Sequence, residues 1–203
     1  MTTHRIEALT DGVFAIAMTL LVLNLALPEA KLGLTHADLI TLLSGQTDKF
    51  FNYALSFILL AIFWIRHHQQ SHYVKKTDMA YLWMNIIFLM FIVLIPFSTS
   101  LIGDYSNEPL AHVFFGSNIL ILGTLLMLNW HYATGHNRLI VHDVDPRIVS
   151  SSRKRGLVTI TVSILAIGIA FLNTDISNYI YLLIPILQEV IRRRSRKSLA
   201  NDL

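Results

Sequence analysis

Three histidines stand in the run HHQQSH, at positions 67, 68 and 72. Imidazole binds metals and carries protons near neutral pH, and His68 and His72 form an i, i+4 pair on one helix face. A metal site needs further ligands and a supporting shell of hydrogen bonds. No carboxylate follows in sequence until Asp78, so solvated or structural histidines are the default reading. Asp11 is the second group with chemical potential. It lies early in the apolar run RIEALTDGVFAIAMTLLVLNLAL, residues 5–27, together with Arg5, Glu7, Thr19 and Asn24. Ionisable groups in such runs face other helices or a water-filled path; the alternative is that Asp11 sits at interface depth and meets water. Asp11 with the histidines could form a proton relay.

Other chemistries find no residues to carry them. The chain has no cysteine, which removes disulfides, thiolate metal sites and Cys nucleophiles. There is no phosphate-cradling Gly-rich loop, no Ser-centred nucleophile elbow and no HExxH pair. Polar groups within the apolar runs are sparse, so no enzyme and no cofactor is expected. A carbonyl-ring filter of the Thr-Val-Gly-Tyr-Gly type is missing, as is a span with Arg at every third position.

The elements that position these residues are membrane helices. The 203 residues are 54% hydrophobic and 14% charged, against about 25% charged in an average soluble domain. A helix crossing the hydrocarbon core needs roughly 20 mostly apolar residues. Six segments qualify, at about 8–27, 50–66, 79–102, 110–132, 156–173 and 176–191. The expectation is one all-α, six-span membrane domain over 1–203, with a basic tail over 192–203. No cleavable signal peptide is read at the N-terminus, because the apolar run continues too long and lacks a small-residue cleavage site. Pro28 should stop the first span and Pro96 should kink the third. Asn173-Thr174-Asp175 should turn a tight hairpin between the fifth and sixth. In the first external loop, Thr35 with Asp38 reads as an N-cap pair and Gly45 as a helix stop.

Lys and Arg collect on the cytoplasmic side of spans. Of the 16 in this chain, only Lys31 and Lys49 fall on one side, and all others on the opposite side. Both termini are therefore expected to be cytoplasmic. The run RRRSRK, with Arg192, Arg193 and Arg194 at its head, fits a surface lying on anionic headgroups and serves equally as a topology anchor. It has no nucleic-acid-binding domain beside it.

At the cytoplasmic end of the first two spans, Arg5, Thr10, Asp11, Trp64 and His67 lie at similar depth. They could form a polar cluster that locks one helix to the other. The six-residue offset places Arg5 and Asp11 on different faces, so the two need not pair. Beyond that cluster, Gly12, Ile16, Thr19, Leu20, Leu23 and Leu27 recur at threes and fours on one face. Spacing alone reads this stripe as helix packing or lipid contact.

The stretch Arg5-Ile-Glu-Ala-Leu-Thr10-Asp11-Gly-Val-Phe-Ala-Ile16 resembles the hallmark of the endolysosomal potassium channel family known as transmembrane protein 175, whose first helix carries Arg, three residues, then Phe-Ser-Asp. Here the triplet is Leu9-Thr10-Asp11, which keeps the hydroxyl and the apolar bulk. Trp64 and His67 resemble the Trp and His that the family places near the end of its second helix. The resemblance implies a homotetramer of six-span subunits in a bacterial inner membrane, with four first helices lining a central pore for K+. It implies that Ile16 forms the narrowest aliphatic ring, that Leu20 and Leu23 form the next rings, and that Thr19 contributes to potassium preference. It assigns Arg5, Thr10, Asp11, Trp64 and His67 to the network holding the pore helix. Such a constriction gates by dewetting. The implied function is a potassium-preferring cation channel; the alternative is a proton-conducting or proton-coupled transporter, or a protein with a purely structural role.

Overall fold

Apolar residues at helical spacing build each element in turn. The computed structural model describes residues 3–25, 35–135, 138–140 and 144–200. Pro28 lies outside the described residues. In α1 (Thr3–Leu20), Ile6, Thr10, Phe14 and Ala17 are buried, and Leu21 continues the same face into a 3-10 segment, Leu21–Leu25. The short α2 (His36–Ser44) buries none of its side chains. It opens with a capping box. The Thr35 hydroxyl accepts from Asp38 N at 3.3 Å, and Asp38 Oδ2 accepts from Thr35 N at 2.9 Å. The Thr35 hydroxyl also donates to Asp38 Oδ2 at 2.6 Å, and this bond, together with that from Thr35 N, holds the Asp38 carboxyl below its ordinary pKa.

The long α3 (Thr47–Ser71) turns Leu55, Leu59, Leu60, Phe63, Arg66, His67 and Gln70 inward. Next come α4 (Met79–Val93) and α5 (Ile95–Asp104), divided at Leu94. This break realises the kink expected from Pro96, which lacks the N–H that would continue the ladder. The Ser98 and Thr99 hydroxyls both lie within hydrogen-bond reach of Ile95 O, at 2.9 and 2.8 Å. They provide partners near the interrupted turn, as polar side chains do at membrane kinks.

Then follow α6 (Pro109–Thr134), α7 (Pro146–Ala170), α8 (Thr174–Ile180) and α9 (Leu183–Ala200). The chain doubles back after α7, where Asn173 caps α8 by accepting from Ile176 N. Ser177 Oγ then bonds Ala166 O at 2.8 Å, tying α8 to α7.

Among the described residues, four helices are long and apolar enough to cross a membrane: His4–Leu25, Thr47–Ser71, Met79–Asp104 and Pro109–Thr134. The two remaining apolar runs take other forms. In α7 the uncharged part begins only at Gly156, after Arg153, Lys154 and Arg155. The sixth run is divided between α8 and α9. Pro185 accounts for that division, because it cannot donate to the carbonyl of Tyr181 four residues back. Instead Ile184 N bonds Tyr181 O at 3.0 Å.

One apolar core joins α1, α3, α4, α5, α6, α7 and the α8–α9 joint around Phe14, Phe63, Phe88, Phe115 and Tyr181. A smaller cluster, Val74, Tyr81, Ala133, Leu139 and Ile140, closes the end where α3 and α6 finish. There Asp78 accepts from Tyr81 N and from the Tyr132 hydroxyl, bonds that hold its carboxyl below the usual range. The described cations from Arg66 to Lys76, Arg138, the start of α7 and Arg192 gather at this end. At the other end Lys49 pairs with Asp104 at 2.7 Å.

Close approach of α6 to its neighbours depends on two glycines. A Cβ at Gly116 would lie 2.5 Å from Tyr181 Oη and 2.6 Å from Ile167 Cγ1; one at Gly123 would lie 2.9 Å from Thr159 Cγ2. Small residues let membrane helices meet in this way. Gly116→Val is expected to lower stability by about 1–3 kcal/mol through overpacking, read as a lower thermal midpoint of the purified protein. Gly168→Ala, in open space, should leave it unchanged or raise it. Equal effects of the two would contradict this packing.

Candidate functional site

The first helix has two unlike faces. Ile6, Thr10, Phe14, Ala17 and Leu21 are buried against α3, α4 and α5. Between them, Gly12, Ile16, Thr19, Leu20 and Leu23 form an open stripe. Ile16 is 58% exposed, Leu20 38% and Leu23 66%, so the described residues leave Ile16 and Leu23 largely uncovered and Leu20 partly so. Space around Gly12 is empty within 4 Å of where a Cβ would stand. The stripe is therefore available to lipid, to another subunit or to a water-filled path.

Polar side chains tie this helix down at two points, Asp11 halfway along α1 and Asn24 in the 3-10 segment beyond it. Trp64 Nε1 on α3 donates to Asp11 Oδ1 at 2.8 Å. At the second point Asn24 Nδ2 donates to Pro96 O at 3.0 Å, so the polar residue deep in the run docks on the kink between α4 and α5. Between the ties the contact is apolar, with Phe14 against Phe88 at 6.1 Å between ring centroids.

Of the five residues expected to cluster at the Asp11 end, the structure joins Asp11 directly to Trp64 alone. His67 turns elsewhere, to Asn85 Oδ1 at 2.8 Å and Ser71 Oγ at 3.4 Å, and stacks on Phe88. Because Asn85 Nδ2 already donates to Tyr81 O at 2.8 Å, its oxygen is left to accept from His67. Nε2 then donates to Asn85, and Nδ1 faces the Ser71 hydroxyl. Thr10 is buried beside these groups with its hydroxyl unpartnered. Arg5 is exposed and makes no hydrogen bond or ion pair among the described residues.

Sequence reasoning missed Asn85, Ser71 and Tyr81. An asparagine inside the apolar run YLWMNIIF was the available signal. Arg66, counted as a flanking loop cation, is instead 3% exposed within the bundle. Its spacing from Phe63 and Gln70 places it on the inward face of α3. The three neighbouring histidines do not converge: His67 faces Asn85, His68 stacks on Trp64, and His72 meets Tyr73 edge-on. Among the described residues, no three His, Asp or Glu gather to hold a metal.

Thr19 has the chemistry of a cation contact. Its Oγ1 donates to Ile16 O at 2.8 Å. The hydroxyl proton is thereby used within the helix, and the oxygen offers only lone pairs outward. Lone pairs suit a cation or the water around it. The aliphatic neighbours offer no dipoles to a cation.

A family model described as endosomal/lysosomal potassium channel TMEM175 matches residues 5–96. A potassium channel of Streptomyces collinus is 33% identical over 181 residues, covering 85% of this chain and 84% of that protein. An endosomal/lysosomal proton channel TMEM175 of Gallus gallus is 30% identical over 113 residues, covering 53% of this chain and 23% of its own length. The crystal structure of a lysosomal potassium-selective channel TMEM175 homolog from Chamaesiphon minutus superposes with a TM-score of 0.80 at 26% identity. It covers 95% of this chain and 97% of that one.

The tie between α1 and α3 can be measured by a double-mutant cycle. Asp11→Ala and Trp64→Phe should each cost roughly 1–3 kcal/mol, the range for a hydrogen bond to a charged group or the loss of its partner. The double variant should cost less than the two together. Strict additivity of the thermal or denaturant midpoints would mean that the bond contributes nothing.

Proposed function

Since the chain belongs to the endosomal/lysosomal potassium channel TMEM175 family, we propose that it is a potassium-preferring cation channel whose pathway is lined by α1 from several copies. The reading takes a homotetramer in a bacterial inner membrane, six spans per subunit and both termini cytoplasmic. The observation that carries it is the open stripe Ile16, Leu20 and Leu23 on a helix whose opposite face is buried. Symmetry-related copies would cover such a face without any further chain.

On this reading Ile16 forms the narrowest ring, and Leu20 and Leu23 form the next rings. The constriction excludes water when closed and gates by wetting. Thr19 supplies outward lone pairs next to that ring. A hydroxyl oxygen replaces hydration more easily for potassium than for the more tightly hydrated sodium, so preference rather than strict selection follows. The Asp11–Trp64 and Asn24–Pro96 ties fix the rotation of α1, and with it which residues face the axis. Arg5, Thr10 and His67 belong to the surroundings of the first tie. Arg192, Arg193 and Arg194 face anionic headgroups at the cytoplasmic surface. The fifth and sixth spans are the Gly156 end of α7 and the α8–α9 pair.

The proton-channel name carried by the chicken relative favours proton conduction as a second reading, with Asp11 and the histidines as the proton relay. Vesicles holding the purified protein separate the two. Potassium flux well above empty vesicles and above sodium flux is the expected result. Flux of protons alone, with steep pH dependence, would replace the first reading by the second. In the same vesicles Ile16→Asn should raise potassium flux about tenfold or more, since each ~1.4 kcal/mol removed from a dewetting barrier is a factor of ten. Unchanged flux in a correctly assembled Ile16→Asn protein would remove Ile16 from the pathway.

A further inference from the structure

A cavity of about 430 Å³ opens at the basic end of the bundle, between the ends of α3 and α6, the start of α7 and the tail of α9. Arg155 and Arg192 line it, with His68, Gln69, Gln70 and Ser152. The last two are built in rather than flexible. Gln70 is 6% exposed and Ser152 4%, and Gln70 Nε2 donates to Ser152 Oγ at 3.0 Å. Arg155 Nη1 donates to Gln69 Oε1 at 3.0 Å, while its Nε is buried without a partner.

Behind Arg155 lies Arg66, more deeply buried still. Arg66 Nη1 reaches only Thr159 Oγ1, at 3.4 Å, and its Nε and Nη2 have no partner. Arg66 Nη2 lies close to Gly156, where a Cβ would stand 3.4 Å from it, at ordinary contact distance. The two guanidinium groups repel each other. No carboxylate lines the cavity among the described residues. Glu189 lies on α9, where it is taken by Arg192 Nε and Arg193 Nε, both at 2.7 Å.

Two inward-lying guanidinium groups without a carboxylate are costly in a low-dielectric interior. An anion in the adjoining cavity would offset that cost. Guanidinium, amide and hydroxyl groups together match a tetrahedral anion with several oxygens, which Arg grips with paired N–H donors. We propose that this cavity binds a phosphate group, with Arg155 and Arg192 as its charged contacts and Arg66 as the buried cation behind them. The group is either a free phosphate or the headgroup of an anionic lipid. This site differs from general attraction of the tail to a charged surface, because Arg193 and Arg194 do not line the cavity.

The test uses the purified full chain in detergent and reads the thermal midpoint, so it stands apart from conduction. Inorganic phosphate is titrated against chloride at equal ionic strength. In a second arm phosphatidylglycerol is compared with phosphatidylcholine, whose choline cancels the phosphate charge. A saturable rise with phosphate or with phosphatidylglycerol is expected. Arg155→Gln should weaken it about tenfold, the worth of one charge-assisted hydrogen bond, and Arg194→Gln should not. A rise with phosphate identifies a free-anion site, and a rise with phosphatidylglycerol alone identifies a headgroup site. Arg192→Gln, at the half-exposed cavity mouth, gives the same reading if Arg155→Gln does not fold. No saturable rise in either arm would overturn the proposal, as would an equal loss in Arg194→Gln.

Discussion

The first helix is clamped at two points by side-chain hydrogen bonds, at Asp11 halfway along it and at Asn24 in the 3-10 segment beyond it, and the rest of the structure depends on that clamp. In hydrocarbon an unpaired polar group has no water to turn to. Asp11 and Asn24 can therefore be tolerated in an apolar helix only where something receives them. Trp64 receives the first and the carbonyl of Pro96 the second. These two contacts determine the rotation of α1 about its axis. One face, from Ile6 to Leu21, is thereby committed to the core. The face with Ile16, Leu20 and Leu23 is left over, and it is the face that the proposed channel reading turns toward the ion pathway.

The remaining helices support this arrangement from two sides. Pro96 serves the clamp through its kink, which places a carbonyl where Asn24 can reach it. Phe88 sits between Phe14, Phe63 and His67 and so joins α1, α3 and α4 through one ring. On the far side, α6 uses Gly116 and Gly123 to bring α7 and the Tyr181 joint close. The two sides meet at the basic end, where Arg66 enters the bundle from α3 and lies against Gly156 of α7.

Much of this could be read from residue order. The apolar runs, the kink at Pro96, the turn at Asn173 and the Thr35–Asp38 capping box each rest on local rules. The meeting of Asp11 with Trp64 was legible as a possibility, because both lie near the same end of their helices. Other features needed the third dimension. Asn85 as the partner of His67 joins residues on different helices, and only the direction of each side chain selects it over Asp11. The division of α8 from α9 was signalled by Pro185, but a proline marks a lost bond without saying whether the helix bends or breaks. Arg66 shows how a charge count by sequence position misplaces a residue that periodicity would have turned inward.

The central claim is that the open face of α1 lines the ion pathway. A chain without cysteine allows it to be tested directly, by placing single cysteines at Ile16, Leu20 and Leu23, and at Met90 on the exposed side of α4. Each protein is reconstituted, and its potassium flux is followed before and after a water-soluble thiol reagent. Flux should change on modification at Ile16, Leu20 and Leu23 and stay constant at Met90. Conducting proteins that are insensitive at all three α1 positions, or sensitive only at Met90, would contradict a pathway along this helix.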